Sequence, residues 1–287
     1  MAGPLIRFDL SLPGYFSYPP APGVRTRAMI PRRETKALYM RGEFGEKSPG
    51  EFRPLTAHNT THLDLPFHFD GDGADLEGVL NRGDWVADRP CLARVVSLGG
   101  DPKLPGAYRR DGVDYCEAVS AEVLPPADEL ERYEALVLLT GFAQVMLQYS
   151  GRPFVHDADG YYHVPWLTED AAGVILESGL SLVALDSNSV ERQTGSDPHR
   201  MSGDVHQALL GHDPPVLIME CLNGADLKGQ VGYVPQEALL HMVPRRVNAK
   251  GAEAAHCRAF LYFYRDDGEG KALRTLQSMM TPEEYHG

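Results

Sequence analysis

The chain has 287 residues, 43% of them hydrophobic, enough to bury a full core and near the upper end of what one domain holds. A formal charge of -13 and a pI near 5.3 leave no concentration of Lys and Arg for nucleic acid or an anionic membrane surface, so neither is an expected partner. No apolar stretch reaches the length of a bilayer span, and MAGPLIRFDLSLPGYF is broken by Pro, Arg and Asp before a signal-peptide core could form; a cytoplasmic protein is expected.

Residues 1–50 mix Pro, Gly and both charges (YFSYPPAPG, then RGEFGEKSPGEF), which predicts strands and loops without a strong helix, of the sort that cap an active site. Residues 58–68 then read HNTTHLDLPFH. His58, His62, Asp64 and His68 all fall on even positions, so an extended backbone turns the four to one face, while Leu63, Leu65 and Phe67 point into apolar packing. Pro66 argues against a helix here. Imidazole nitrogen with carboxylate oxygen is the ligand set of Zn²⁺ or Mn²⁺. The plainer alternative is a solvent-facing strand with clustered histidines, although such faces favour Thr, Lys and Glu.

Short apolar runs rich in Val, Leu, Ile or aromatics predict strands at 91–98, 135–140, 181–185, 216–222 and 259–264, covered on both faces. Residues 101–130 cannot be placed securely and read as an insertion bordering the cleft. Thr168 is the predicted N-cap of a helix through about Ser178, with Glu169 and Asp170 in its first turn and Gly179 just beyond. A shorter helix is predicted from Ser202 to Gly211. Helix followed by strand in 168–185 and again in 202–222 points to a mixed α/β fold with helices packed on a sheet. Cys91, Cys116, Cys221 and Cys257 never form C-x-x-C and read as buried small hydrophobes.

Glu220 stands inside the apolar run VLIMECL. An unpaired carboxylate buried there costs several kcal/mol, a penalty that a cation removes; the alternative puts Glu220 at the strand's mouth, in water or paired with an Arg. His206, on residue type alone, reads as a surface or satisfied histidine, and His163 and His199 as loop residues. Asp186 reads as a turn-forming residue at a strand end, or as an acceptor fixing the tautomer of a ligand histidine. Leu273, Leu276, Met279 and Met280 lie at helix-like spacing in the tail 271–287, which reads as a C-terminal arm onto a neighbouring subunit or as a surface helix.

Residues 58–68 resemble the signature of the cyclase family of metal-dependent hydrolases, H-x-G-T-H-x-D-x-P-x-H, whose members include bacterial kynurenine formamidase, isatin hydrolase and a dienelactone hydrolase. One position departs: Thr60 replaces a glycine that would permit an unusual backbone angle or close approach. HQALL from His206 and IMECLN from Ile218 resemble the family's second ligand pair, and the strand ending in DSNS resembles its Asp-x-x-Ser. The resemblance implies one domain over 1–287 with a swivelling three-layer β/β/α fold. It also implies one or two Zn²⁺ or Mn²⁺ ions, with His58 and His62 holding the first, His206 and Glu220 a second, and Asp64 bridging them. His68 would be the catalytic group. Its near-neutral pKa suits proton transfer, and a role as a further ligand is the alternative.

The expected activity is hydrolysis of an amide, lactam or lactone in a small cyclic or aromatic substrate, with the metal making water nucleophilic. Phe67, Phe69, Trp85, Phe142, Tyr161, Tyr162 and Trp166 are candidates for an aromatic wall, and Arg53 and Arg82 for a carboxylate clamp. The alternatives are a natural-product cyclase or dehydratase using the metal as Lewis acid, and a non-catalytic metal-binding member of the fold. A homo-oligomer, dimer or tetramer, is expected.

Overall fold

Eight strands build the main sheet: β1 (Leu5–Asp9), β2 (His62–Asp64), β3 (Pro90–Ser97), β4 (Ala135–Leu139), β5 (Leu182–Leu185), β6 (Leu217–Glu220), β7 (Glu237–Pro244) and β8 (Ala254–Tyr264). The computed structural model describes residues 4–12, 25–29, 52–55, 58, 60–82, 86, 89–149, 156–193, 202–225, 227–245, 252–265 and 271–280. The strand order is β1-β8-β7-β3-β4-β5-β6-β2, and β2 pairs back onto β8, so seven strands close on themselves while β1 extends along the far end of β8. Strands β3 to β6 run parallel, whereas β2, β7 and β8 pair antiparallel. Every residue of β4 and β5 is buried, as parallel strands covered on both faces require.

Helices α1 (Leu76–Asn81), α2 (Glu169–Glu177), α3 (Asp204–Leu210) and α4 (Lys271–Met280) accompany the sheet, and α2 and α3 form the crossovers between parallel neighbours β4, β5 and β6. Helix α2 begins as predicted, with the Thr168 hydroxyl accepting from Ala171 N at 3.4 Å, and ends before Gly179 at φ 68°. Helix α3 corrects the sequence reading. Its N-cap is Gly203 at φ 82°, and the Ser202 hydroxyl instead donates to Glu191 Oε2 at 2.6 Å.

The strand predicted at 259–264 starts at Ala254, because pairing with β2 rather than apolar content holds its first three residues. Strands β1 and β7 and the hairpin of Ala107–Arg110 with Val113–Cys116, inside the unplaced region 101–130, had no marked apolar run to announce them. Phe142 is fully buried with Tyr115, Met146 and Tyr162 in a small satellite core, so it is a packing residue and not part of a wall. Asp186 is structural: its carboxylate accepts from Thr140 N and Oγ1, both at 2.6 Å, from Gly141 N at 3.0 Å and from Ala143 N at 3.3 Å, tying the ends of β4 and β5 together.

Of the tail read as an arm, 271–280 pack on this chain's own sheet: Leu273 is buried in the main core, and Gln277 Nε2 donates to Pro90 O at 3.3 Å and Glu134 Oε2 at 2.6 Å. Residues 281–287 lie outside the described residues. All four cysteines are buried free thiols, as expected. Among the described residues no helix is long and apolar enough to cross a membrane.

Candidate metal centre

Strand β2 lies between β6 and β8, with His62 opposite Glu220 on one side and Asp64 opposite Ala254 on the other. Beyond Glu220 the backbone turns at Cys221, φ 59°, a left-handed residue that ends β6; the Thr61 hydroxyl donates to the Cys221 carbonyl at 2.7 Å and locks that turn beside His62. The paired strand covers His62–Asp64 and Leu65 is still extended, but the backbone turns at Pro66, so the single extended run expected through 58–68 is corrected. Pro66–His68 form a 3₁₀ turn with proline in its first positions, where a fixed φ helps and the missing N–H costs nothing. That turn stacks the His68 ring on His58 with centroids 4.7 Å apart. Leu63 and Leu65 face the core as the alternation required, while Phe67 is only half-buried.

Gly73 sets the position of the turn. A Cβ there would lie 2.7 Å from the Pro66 carbonyl carbon, 2.8 Å from its oxygen and 3.0 Å from Phe67 N, all backbone atoms that cannot rotate away. Gly73→Ala is expected to cost about 1–3 kcal/mol in chemical denaturation and to lower kcat roughly 100-fold by displacing His68. Turnover equal to wild type would mean that the placement of His68 is immaterial.

The six residues singled out by sequence converge. Asp64 is fully buried; its Oδ1 lies 3.0 Å from His58 Nδ1 and 3.5 Å from His62 Nε2, and its Oδ2 3.5 Å from His206 Nε2. Glu220, also buried, places Oε2 3.3 Å from His62 Nε2 and Oε1 3.3 Å from His206 Nε2. Ligand atoms of His58, Asp64 and His68 come within 4.8 Å of one another, as do those of His62, Asp64 and Glu220, so Asp64 belongs to both groups. The mouth-of-strand alternative for Glu220 fails: it is the last residue of β6 yet enclosed by imidazoles, with no Arg beside it among the described contacts.

Outer acceptors fix two of these rings. His62 Nδ1 donates to the Thr60 carbonyl at 2.7 Å, and His206 Nδ1 faces Glu191 Oε1 at 3.0 Å. In the neutral rings both Nε2 atoms are then lone pairs, aimed at carboxylate oxygens. Neither oxygen of Asp64 has a hydrogen bond of sound geometry. Acceptors directed at acceptors in a buried space fit a cation, and the donor set of imidazole and carboxylate fits Zn²⁺ or Mn²⁺.

Without a cation, protons supply the balancing charge. Burial works against charge on His62 and His206, yet Asp64 and Glu220, with Glu191 at His206, outweigh it and hold both histidines well above 6.5. Burial also opposes ionisation of Asp64, but the surrounding imidazoles hold it well below 3.8. Glu220 is lowered by His206 and His62 despite burial and the neighbouring Asp64. The ionised carboxylates thus retain positive charge around themselves.

Sequence reasoning missed Glu191 and Glu253. Glu191 also accepts from the backbone N–H of His206 at 2.7 Å, acting as the cap that α3 lacks locally. Glu253 lies just ahead of β8, 3.8 Å from His58 Nε2 and 3.6 Å from His68 Nδ1; burial opposes its charge, and the two histidines hold its pKa at about 2. No periodicity marks either residue, since each is buried only by long-range contact. The hydroxyl of Thr60, at the family's glycine position, meets His256 Nδ1 at 2.7 Å.

Phe69 places its ring 4.6 Å from that of His68 and 5.0 Å from that of His206, in contact with the cluster. Tyr161, Tyr162 and Trp166 instead line a separate cavity of about 230 Å³ with Glu117, His163, Val164, Arg192 and Gln193. His163, at φ 40°, is held there between Glu117 (3.0 Å) and Asp159 (2.6 Å). Arg82 is exposed just beyond α1. Trp85, His199 and the side chain of Arg53 lie outside what the structure describes.

Residues 9–192 match the model of the Cyclase family. No curated protein sequence matches the chain. Among solved structures, a potential metal-dependent hydrolase with cyclase activity aligns with TM-score 0.51 and 15% identity, covering 90% of this chain and 98% of its own. A novel cyclase aligns with TM-score 0.51 and 19% identity over 91% and 89%, and an isatin hydrolase bound to the product analogue thioisatinate with TM-score 0.49 and 14% identity over 91% and 93%. At such identities the structural likeness speaks for the fold alone, a mixed α/β closed sheet with helices. With the family model spanning well over half of its length, the chain belongs to the Cyclase family.

Proposed function

We propose that this chain is a metal-dependent hydrolase that opens an amide, lactam or lactone of a small cyclic or aromatic substrate, acting as one domain over 1–287. The observation that carries the reading is Asp64: a fully buried carboxylate, both oxygens without a sound hydrogen bond, facing three imidazoles. His58, His62, Asp64, His206 and Glu220 are the residues that would hold one or two Zn²⁺ or Mn²⁺ ions. A divalent ion so held supplies Lewis acidity, lowering the pKa of water from about 16 toward about 7 and polarising a carbonyl oxygen.

His68 is the proton carrier in this reading, delivering a proton to the leaving nitrogen or oxygen. Its ring lies stacked against His58 and edge-on to Phe69. With Nδ1 of His62 turned to the Thr60 carbonyl and Nδ1 of His206 to Glu191, Nε2 of each ring is the nitrogen left to face an ion. A cytoplasmic homo-oligomer, dimer or tetramer, completes the proposal.

The test is turnover of a panel of N-formyl aryl amides, aryl lactams and lactones in ¹⁸O-labelled water, with protein loaded with Zn²⁺ or Mn²⁺. One ¹⁸O per product molecule is expected. Turnover without label would replace hydrolysis by a Lewis-acid cyclase or dehydratase reaction, and metal binding with no turnover of any member would favour a binding protein.

A further inference from the structure

Glu253 faces two histidines at once. It is 4% exposed, and its backbone is tied to the motif because Leu65 N donates to the Glu253 carbonyl at 3.1 Å. Oε1 lies 3.8 Å from His58 Nε2 and Oε2 lies 3.6 Å from His68 Nδ1, so one carboxylate spans the edges of a stacked imidazole pair. The other nitrogen of His58, Nδ1, points the opposite way, 3.0 Å from Asp64 Oδ1 and 3.1 Å from His62 Nε2. Both Glu253 separations are ion-pair distances, and contacts of this kind are commonly longer in a ligand-free protein than in a loaded one.

We propose that Glu253 is a positioning residue that sets the tautomer of both rings, keeping a proton on His58 Nε2 and another on His68 Nδ1. An ionised carboxylate only accepts, so each nitrogen facing it must donate. His58 then offers the lone pair of Nδ1 to the cation, and His68 offers Nε2 as its basic nitrogen. Glu191 and the Thr60 carbonyl serve one candidate ligand each; Glu253 links a ligand and the proton carrier, so cation retention and proton transfer depend on one side chain. The inference rests on the metal-dependent reading above and goes beyond it in that coupling.

The experiment uses Zn²⁺ as the probe and needs no substrate. ¹⁵N-edited imidazole spectra of the Zn²⁺-loaded wild type, with His68 signals assigned by comparison with H68N, are expected to show N–H at His58 Nε2 and at His68 Nδ1. Competition with a chromogenic chelator is expected to give E253Q about 10–100-fold weaker Zn²⁺ affinity, with His68 no longer confined to one tautomer. E191Q is expected to weaken Zn²⁺ comparably yet leave His68 protonated on Nδ1, a contrast that general loss of structure would not produce, and E253D should recover part of both losses. A wild-type His68 protonated on Nε2 alone overturns the proposal, and this measurement decides it even should E253Q not fold. An E253Q protein that keeps wild-type affinity and tautomers overturns it too while leaving the metal reading intact. A wild type that binds neither Zn²⁺ nor Mn²⁺ brings down that reading and this proposal together.

Discussion

Asp64→Ala is expected to abolish retention of the divalent ion and to lower turnover at least about 1000-fold, because a metal-assisted reaction loses a water acidified by many powers of ten. Asp64 is the residue common to both groups of convergent ligand atoms, so its removal affects every candidate ligand within reach. The fold should survive. Residue 64 pairs with Ile218 on one side and Ala254 on the other through its backbone, which alanine retains. Metal analysis by mass spectrometry after dialysis, with circular dichroism as the fold control, checks the outcome. Wild-type metal content and turnover in this variant would refute a metal centre organised on Asp64.

In protein stripped of metal, stability is expected to peak in mildly acidic solution and to fall as the pH is raised toward 9. His62 and His206 have folded pKa values raised above 6.5, so their contribution is fully present below 6.5 and is lost as pH rises through the raised values. Asp64 and Glu220 are depressed below 3.8 and 4.5, so theirs is present above those values and is lost as pH falls through the depressed ones. The apo protein should therefore be most stable between about 4.5 and 6.5. Each tenfold change in proton affinity is worth about 1.4 kcal/mol, or roughly 2–4 °C of Tm in a chain of comparable size. A fall in Tm between pH 6 and 9 is expected without metal. Zn²⁺ should remove most of it, because the ion replaces protons that alkaline solution withdraws. An apo Tm that is flat or rising across this range would mean that the buried carboxylates draw no support from protonated histidines.

The local chemistry of this chain was legible before any fold was known. His58, His62, Asp64 and His68 lie within eleven consecutive residues, and the N-cap Thr168 and the apolar runs of β4 and β5 depend on neighbours in sequence. Their short range is why periodicity and propensity reveal them. The route by which the four motif residues meet was not legible: Pro66 starts a turn instead of merely forbidding a helix, and a 3₁₀ turn rather than an extended strand brings His68 over His58.

Convergence of His206 and Glu220 on Asp64, the outer carboxylates Glu191 and Glu253, and the closure of the sheet through β2 and β8 were decided only by the tertiary structure. These contacts join residues separated by up to nearly two hundred positions, and a residue buried by distant chain leaves no periodic trace in its own segment. Sequence therefore determined which groups were available for chemistry, and three-dimensional packing determined which of them share one buried space, because burial and electrostatic coupling depend on distance in space and not along the chain.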